Sequence, residues 1–300
     1  MSINYDYYRI FYHVAKHKSF TQAAIALTNS QPNITRAIKN LEQELGCTLF
    51  IRSNRHVQLT PEGEALYRHV SVAFEQLQAG EEEIAKGKGL DGGVLRIAAT
   101  EVALHTSLLP VLKQFRSQYP AVHIKLMNDS TPAAIGDLDS GLADIAVVTT
   151  PAEITESLRC VTLADVQEIA VCGSAYTALT RSTVSLAKLL EYPVISLGEQ
   201  SGTYCFYSQF FADHRLIFAP DIEAATADQI LPMVKANLGI GFVPTAFLHG
   251  EDMEASVFTI PLAEHIPLRN VCLLTSKKHP LSPAARELKK ALIAASKAMS

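Results

Sequence analysis

The 300-residue chain is 48% hydrophobic and 19% charged, with a net charge of −4 and five cysteines. That composition excludes a disordered or collagen-like chain, and the length suits about two or three domains of roughly 100–150 residues. No run approaches the ~20 apolar residues of a membrane span, and MSINYDYYRI lacks the basic and apolar regions of a secretory signal, so a cytoplasmic protein with no membrane partner is expected.

The charge is unevenly divided. Residues 1–60 carry seven basic against three acidic side chains, a net +4, and the other 240 carry 19 against 27, a net −8. A basic head on an acidic body is the pattern of a small nucleic-acid-binding domain carried by something else. Tyr8, Phe11, Tyr12 and Ala15 recur at helical spacing and predict a helix over 5–16. Ser19 is placed to cap a second helix, 20–27, in which the small Ala23 and Ala24 permit close crossing. After a polar break at Thr28 and Asn29, Ser30 caps a third helix with Pro32 in its first turn and Gly46 as its stop. Ile34, Ile38, Leu41 and Leu45 form its inward stripe. Gln31, Asn33, Thr35, Arg36 and Lys39 lie opposite, side chains able to reach base edges or phosphates in a major groove. A solvated helix face has the same composition; the short preceding helix and tight break favour a helix-turn-helix. Two short apolar runs then flank Ser53 and Asn54, a hairpin signal that puts Arg52 and Arg55 at its tip, where arginines can enter a minor groove.

Thr60-Pro61 opens a long helix. Leu66, Val70, Ala73, Leu77, Gly80 and Ile84 repeat at spacings of four and three, a seam that predicts pairing with a second copy of the helix. Packing of that face on its own chain is the competing reading. GKGLDGG, residues 87–93, reads as a hinge.

Beyond it strands and helices alternate. Strands are expected at 94–100, 122–127, 143–148, 167–172, 192–197, 238–244, FTIPL and NVCLLTS, and helices at 108–119, 132–142, 203–214, 227–237 and 283–298. Such alternation implies βαβ units and a parallel sheet. Ligands of open α/β sheets sit beyond the carboxyl ends of strands, where helix N-termini present unpaired N–H groups. Thr100, Ser130, Thr131, Ser201 and Thr203 fall there. Helix capping alone is the competing reading of each. Glu101, beside Thr100, opposes an anionic ligand unless it points away or the ligand carries an amine.

Catalytic and cofactor chemistry finds no support. GEQSG at 198–202 lacks the spacing of a GxSxG nucleophile elbow, and neither GxGxxG nor GxxxxGK[ST] occurs. His13 and His17 are one helical turn apart, but HVAKH lacks the glutamate of HExxH and a third ligand, so no metal is expected. Cys47, Cys160, Cys172, Cys205 and Cys272 are scattered and odd in number, which fits core thiols in a reducing compartment.

SFTQAAIAL, SQPNITRAIKNLEQELG, LFIR and LTPEGEAL resemble, in order and spacing, the LysR-type regulators over about the first 90 residues, and LLPVLKQF, GLADIAVV and NLGIGFVP resemble segments of that family's effector domain. The resemblance implies an α/β protein in three parts. Residues 1–60 would form an N-terminal all-α winged helix-turn-helix, and 61–89 a long linker helix and hinge. Residues 90–300 would form a two-lobed α/β effector domain similar to type 2 periplasmic binding proteins, with lobe I about 90–162 and 266–300 and lobe II about 163–265. It further implies a sequence-specific transcription regulator, not an enzyme, that grips double-stranded operator DNA with Ser30, Gln31, Pro32, Asn33, Thr35, Arg36 and Lys39 and with Arg52 and Arg55 of the wing. Asn33 and Ala37 stand at positions that help set base preference. Leu66, Val70, Ala73, Leu77 and Ile84 would join two copies, and two dimers would make a tetramer, with RNA polymerase as a further partner. A small-molecule effector would sit between the lobes against Thr100, Glu101, Ser130, Thr131, Ser201 and Thr203. The alternative within the family is a cysteine-based redox sensor, because some peroxide-sensing relatives carry a reactive cysteine near the stretch of Cys205. That switch needs a resolving thiol, and no other cysteine lies within twenty residues of Cys205.

Overall fold

The computed structural model describes residues 3–52, 57–86, 92–248 and 256–299. The chain divides into two compact units, Met1–Gly89 and Leu90–Ser300.

In the first unit, α1 (Tyr5–His17), α2 (Phe20–Ala26) and α3 (Gln31–Leu45) enclose Phe11, Val14, Ala23, Ile34, Ile38 and Leu41, all fully buried. Ser19 Oγ accepts from the Gln22 N–H and starts α2. Ser30 has the extended backbone of a cap, but its hydroxyl makes no capping bond. Asn29 takes over the local bonding, its Oδ1 accepting from the Ser30 N–H (2.8 Å) and from Asn33 Nδ2 (3.0 Å). Gly46 ends α3 at φ +71°, a left-handed conformation in which a Cβ is strained. The inward stripe differs from the expected one at one position. Leu45, the last residue of α3, is 37% exposed because the helix ends there, and Ala37 is buried beside Ile34, Ile38 and Leu41.

The wing strands β1 (Phe50–Arg52) and β2 (Val57–Leu59) pair antiparallel. Their connection, including Arg55, lies outside the described residues. Glu42 ties the wing to α3, its Oε1 accepting from the Leu49 N–H (2.8 Å). Thr60 Oγ1 donates to Thr48 O and accepts from the Gly63 N–H, capping α4 (Pro61–Lys86). A Cβ at Gly63 would sit 2.2 Å from Leu49 O, so glycine is what lets α4 start against the wing.

The seam of α4 is only partly available for a partner helix. Val70 is 7% exposed, and Leu66, Tyr67 and Phe74 pack half-buried on the same core. Tyr12 of α1 stacks on Tyr67 and Phe74, with ring centroids 6.1 and 4.8 Å apart. Val70, expected to face a second copy, is instead buried against its own chain, and Leu66 packs half-buried on the same core. Ala73 and Leu77 are exposed, and the side chain of Ile84 lies outside the described residues.

The second unit holds two five-stranded sheets, one per lobe. The first is ordered β4-β3-β5-β12-β6, from β3 (Val94–Ala99), β4 (His123–Asn128), β5 (Ile145–Thr149), β6 (Leu158–Val166) and β12 (Arg269–Ser276). The second is ordered β11-β7-β10-β8-β9, from β7 (Glu168–Gly173), β8 (Val194–Leu197), β9 (Ile222–Ala224), β10 (Ile240–Pro244) and β11 (Val257–Ile260). Both are mixed rather than purely parallel: β12 runs antiparallel to β5 and β6, and β7 antiparallel to β10 and β11. The helices are α5 (Glu101–Ala103), which continues through a π turn into α6 (Leu109–Gln118), then α7 (Thr131–Ser140), α8 (Leu186–Leu189), α9 (Gly202–Asp213), α10 (Ile230–Lys235) and α11 (Pro283–Met299). Helical structure thus begins at Glu101, ahead of the expected start at Leu108.

The chain passes between the sheets twice, between Val166 and Glu168 and again between Ile260 and Arg269. The first crossover falls later than the expected boundary near residue 162, because Thr162 lies inside β6, paired with Cys272. Strand β6 escaped the sequence reading. It is an edge strand with Arg159 and Asp165 on it, so it shows no apolar run.

Candidate functional sites

In the first unit Ser30, Gln31, Pro32, Asn33, Arg36 and Lys39 are exposed and Thr35 is half-buried. They share the outer side of α3. The first acidic residue of that helix is Glu42, and its carboxylate is occupied by the backbone of the wing. The surface offered by the first turns of α3 is thus polar and basic with no opposing acid, as a polyanion requires. Ala37 is buried and cannot touch a base, which corrects its expected part in base preference. Asn33 reaches the surface with its amide nitrogen already donated to Asn29 Oδ1. Arg52 lies on β1 with its side chain outside the described residues, as is all of Arg55. His13 and His17 stack with centroids 6.0 Å apart. Among the described residues no group of three His, Cys, Asp or Glu side chains could hold a metal ion.

In the second unit a cavity of about 90 Å³ opens beyond the strand ends of both sheets. Thr100, Glu101, Ser130 and Thr131 line it from the lobe of the first sheet, and Ser201 and Thr203 from the other, so all six expected effector residues meet at one cavity. Asp129, Thr149, Gly202 and Thr226 also line it and were not singled out from sequence. Three hydroxyls do cap helices: Thr100 Oγ1 accepts from the Ala103 N–H (3.4 Å), Ser130 Oγ from Ala133 (3.4 Å) and Ser201 Oγ from Tyr204 (3.0 Å). A capping oxygen that accepts still has its own proton to donate. Thr131 Oγ1 donates to Thr149 O (3.0 Å), a bond buried on the wall of the cavity. Among the described residues no Lys, Arg or His lines the cavity.

Its two acids differ. Glu101 is engaged on both oxygens, with His105 Nε2 (2.9 Å) and Asn128 Nδ2 (2.7 Å). Asp129 Oδ2 is shielded from solvent and has no hydrogen-bond partner, and burial pushes this carboxyl above the usual range. An open hollow lined by Ser130, Gly198, Glu199, Gln200, Ser201 and Glu223 adjoins the cavity.

At the crossovers lies a buried ion pair that no local pattern announces, since its members are 101 residues apart. Arg269, 1% exposed, donates from Nη1 to Glu168 Oε1 (2.9 Å), from Nη2 to Thr149 Oγ1 (3.0 Å) and from Nε to Thr150 O (2.8 Å). Its guanidinium lies over the ring of Phe206 in α9, 5.1 Å from the centroid. Elements from both lobes meet in this knot, and Thr149 belongs to the cavity wall as well.

The thiols separate by surroundings. Cys205 is exposed on α9. Cys160 and Cys272 neighbour each other on β6 and β12, and burial with the Cys160 thiol beside it pushes Cys272 up to about 12. Burial pushes Cys172 up to about 11.

Residues 5–64 match the family model of the bacterial regulatory helix-turn-helix protein, lysR family, and residues 88–297 match that of the LysR substrate binding domain. The uncharacterized HTH-type transcriptional regulator YnfL of Escherichia coli strain K12 is 29% identical over 96% of this chain and 97% of its own length. The crystal structure of CbnR, a LysR family transcriptional regulator, superposes with a TM-score of 0.72 at 18% identity, over 98% of this chain and 99% of that one. CbnR complexed with its target DNA gives the same TM-score and identity over 97% and 99%.

Proposed function

The chain belongs to the LysR family of transcriptional regulators, which are not enzymes, and on that premise we propose that an effector bound between the lobes tunes how this regulator engages its operator. The observation that carries the DNA half is the polar, basic surface of the first turns of α3, on residues 1–60 with a net charge of +4. In this reading Gln31, Asn33, Thr35 and Arg36 approach base edges, and Ser30, Pro32, Lys39, Arg52 and Arg55 approach the backbone. That CbnR has been solved on its target DNA supports the same use of the head here. Operator DNA as partner implies a cytoplasmic protein, and no described helix is long and apolar enough to cross a membrane.

The effector half is carried by six hydroxyl and carboxyl groups from two lobes meeting at one cavity. A ligand there favours whichever lobe arrangement it touches on both sides, and that difference is what can reach the DNA. Pairing of two chains uses the exposed part of α4, around Ala73 and Leu77, rather than the whole seam. Assembly to a tetramer and contact with RNA polymerase extend the same reading. Redox sensing has weaker support: the two neighbouring thiols include Cys272, held far from thiolate formation.

Operator binding by an Arg36→Ala variant is the test. Loss of a base contact costs roughly 1–3 kcal/mol, and wild-type affinity should fall steeply with salt as counterions are released. Unchanged affinity in Arg36→Ala, or a flat salt dependence, refutes the assignment of this face to DNA.

A further inference from the structure

The cavity walls also say what kind of effector fits. We propose that the cleft takes an α-amino acid, its ammonium group on Asp129 and its carboxylate at the first turns of α7 and α9. The assignment rests on the cleft being the effector site and names the ligand class for it.

Asp129 is the uncommitted acid of the cavity. Its backbone is fixed by a bond from its N–H to Ala99 O (3.0 Å), its half-buried side chain lines the cavity, and its Oδ2 meets no donor. A carboxylate on the cavity wall that meets no protein donor is matched by an ammonium group placed in the cavity beside it. Glu101 does not compete for that cation, because His105 and Asn128 already hold both its oxygens.

Donors for an anion stand immediately beside this acid. Asp129 is followed directly by Ser130 and Thr131, the start of α7. The hydroxyls of Ser130 and Ser201 accept from backbone N–H groups and so have their own protons to give outward. The N–H groups of Thr131, Gly202 and Thr203 belong to first turns, which have no intrahelical acceptor. Acceptor and donors on consecutive residues require the two ligand charges to be close together, as they are when ammonium and carboxylate share one carbon. A dicarboxylate fits less well: among the described residues no lining base would balance its second charge, and Asp129 would oppose it. The adjoining hollow, with Glu199 and Glu223 on its rim, favours neutral or basic side chains over acidic ones.

The test uses the full-length protein and calorimetry with the twenty common amino acids. Each binder is then compared with its α-hydroxy acid, in which a hydroxyl replaces the amine. At least one amino acid should bind, and its hydroxy acid should bind at least tenfold more weakly. Asp129→Asn should weaken the amino acid at least tenfold and leave the hydroxy acid unchanged. Gly202→Leu should abolish both, since a Cβ there already lies 3.2 Å from Pro151 O and 3.4 Å from Thr131 Oγ1. Equal affinity for amino and hydroxy acid, or an unaffected Asp129→Asn, overturns the amine assignment while leaving the cleft intact. Binding that survives Gly202→Leu overturns the cleft itself. Failure of every amino acid to bind wild type overturns the ligand class, and because the amine comparison is made on wild type, it stands even if a variant misfolds.

Discussion

In the head every described charged side chain is exposed or half-buried, and the described polar residues buried as a whole are Thr60 and Ser71. The body buries Arg96, Glu168 and Arg269 together with a group of threonines. The contrast follows from what each unit must meet. A polyanion is met from outside, by a surface with long basic side chains over an apolar core, and needs no internal polar order. A small ligand is met from inside, so its groups must be fixed before it arrives, and the body keeps polar side chains where sheets end and lobes join. Thr149 shows the cost and the use together: it lines the cavity, accepts Thr131 through its carbonyl and accepts Arg269 through its hydroxyl.

The largest test of this contrast is at Arg269. Removing one member of a buried ion pair leaves the other charge unpaired in a dry site, which costs about 3–5 kcal/mol. Arg269→Ala should therefore shift the denaturant midpoint of the body more than any single substitution of an exposed charge in the head. Arg269→Met combined with Glu168→Leu should recover most of the loss, because an apolar pair of similar volume needs no compensation. If Arg269→Ala unfolds at the wild-type midpoint, the buried charge is not what separates the units.

A smaller effect sharpens the comparison within one helix. Val70 and Leu77 belong to the same repeat in the sequence, but one is 7% exposed and the other 49%. Val70→Ala removes about two buried methylene equivalents and should cost the head about 2 kcal/mol. Leu77→Ala should change folding by less than about 0.5 kcal/mol, yet weaken self-association in analytical ultracentrifugation. The reverse pattern would mean that the whole seam is an interface.

That helix also shows where sequence stops being legible. A four-three repeat reports that one stripe is apolar, not what covers it, and the cover here is Tyr12, far back in α1. Elements with strong local signals were readable: the helix-turn-helix from its caps and stripes, and the cavity hydroxyls from their place between strand and helix. Strand β6 was not, because an edge strand needs no apolar run. Asp129 was passed over although it stands in NDSTP, between a strand and a capped helix. An acid there looks like loop until its oxygen is seen to be shielded. The Arg269–Glu168 pair was beyond reach, since its members lie 101 residues apart and only the double crossing of the chain brings them together.

The smallest expected effect bears on the head's preference for exposed charge, at a histidine that departs from it. His13 Nδ1 is shielded and unpartnered, and burial, followed by the nearby positive charges of His17, Lys16 and Arg9, lowers its pKa below the ordinary 6.5. A group with a lowered pKa in the folded state binds its proton more readily when unfolded. At pH well above 6.5 both states are neutral there and His13 contributes no pH dependence. As pH falls through about 6.5 the unfolded state takes up the proton first, so the head loses stability until pH drops below the folded pKa as well. His13→Gln removes this titration. Amide-exchange protection of α1 in the full-length protein should decline between pH 7 and about 5 in wild type and decline less in the variant. An equal decline in both would assign the acid sensitivity of the head to its carboxylates, and would leave His13 as a packed side chain whose charge state the fold does not register.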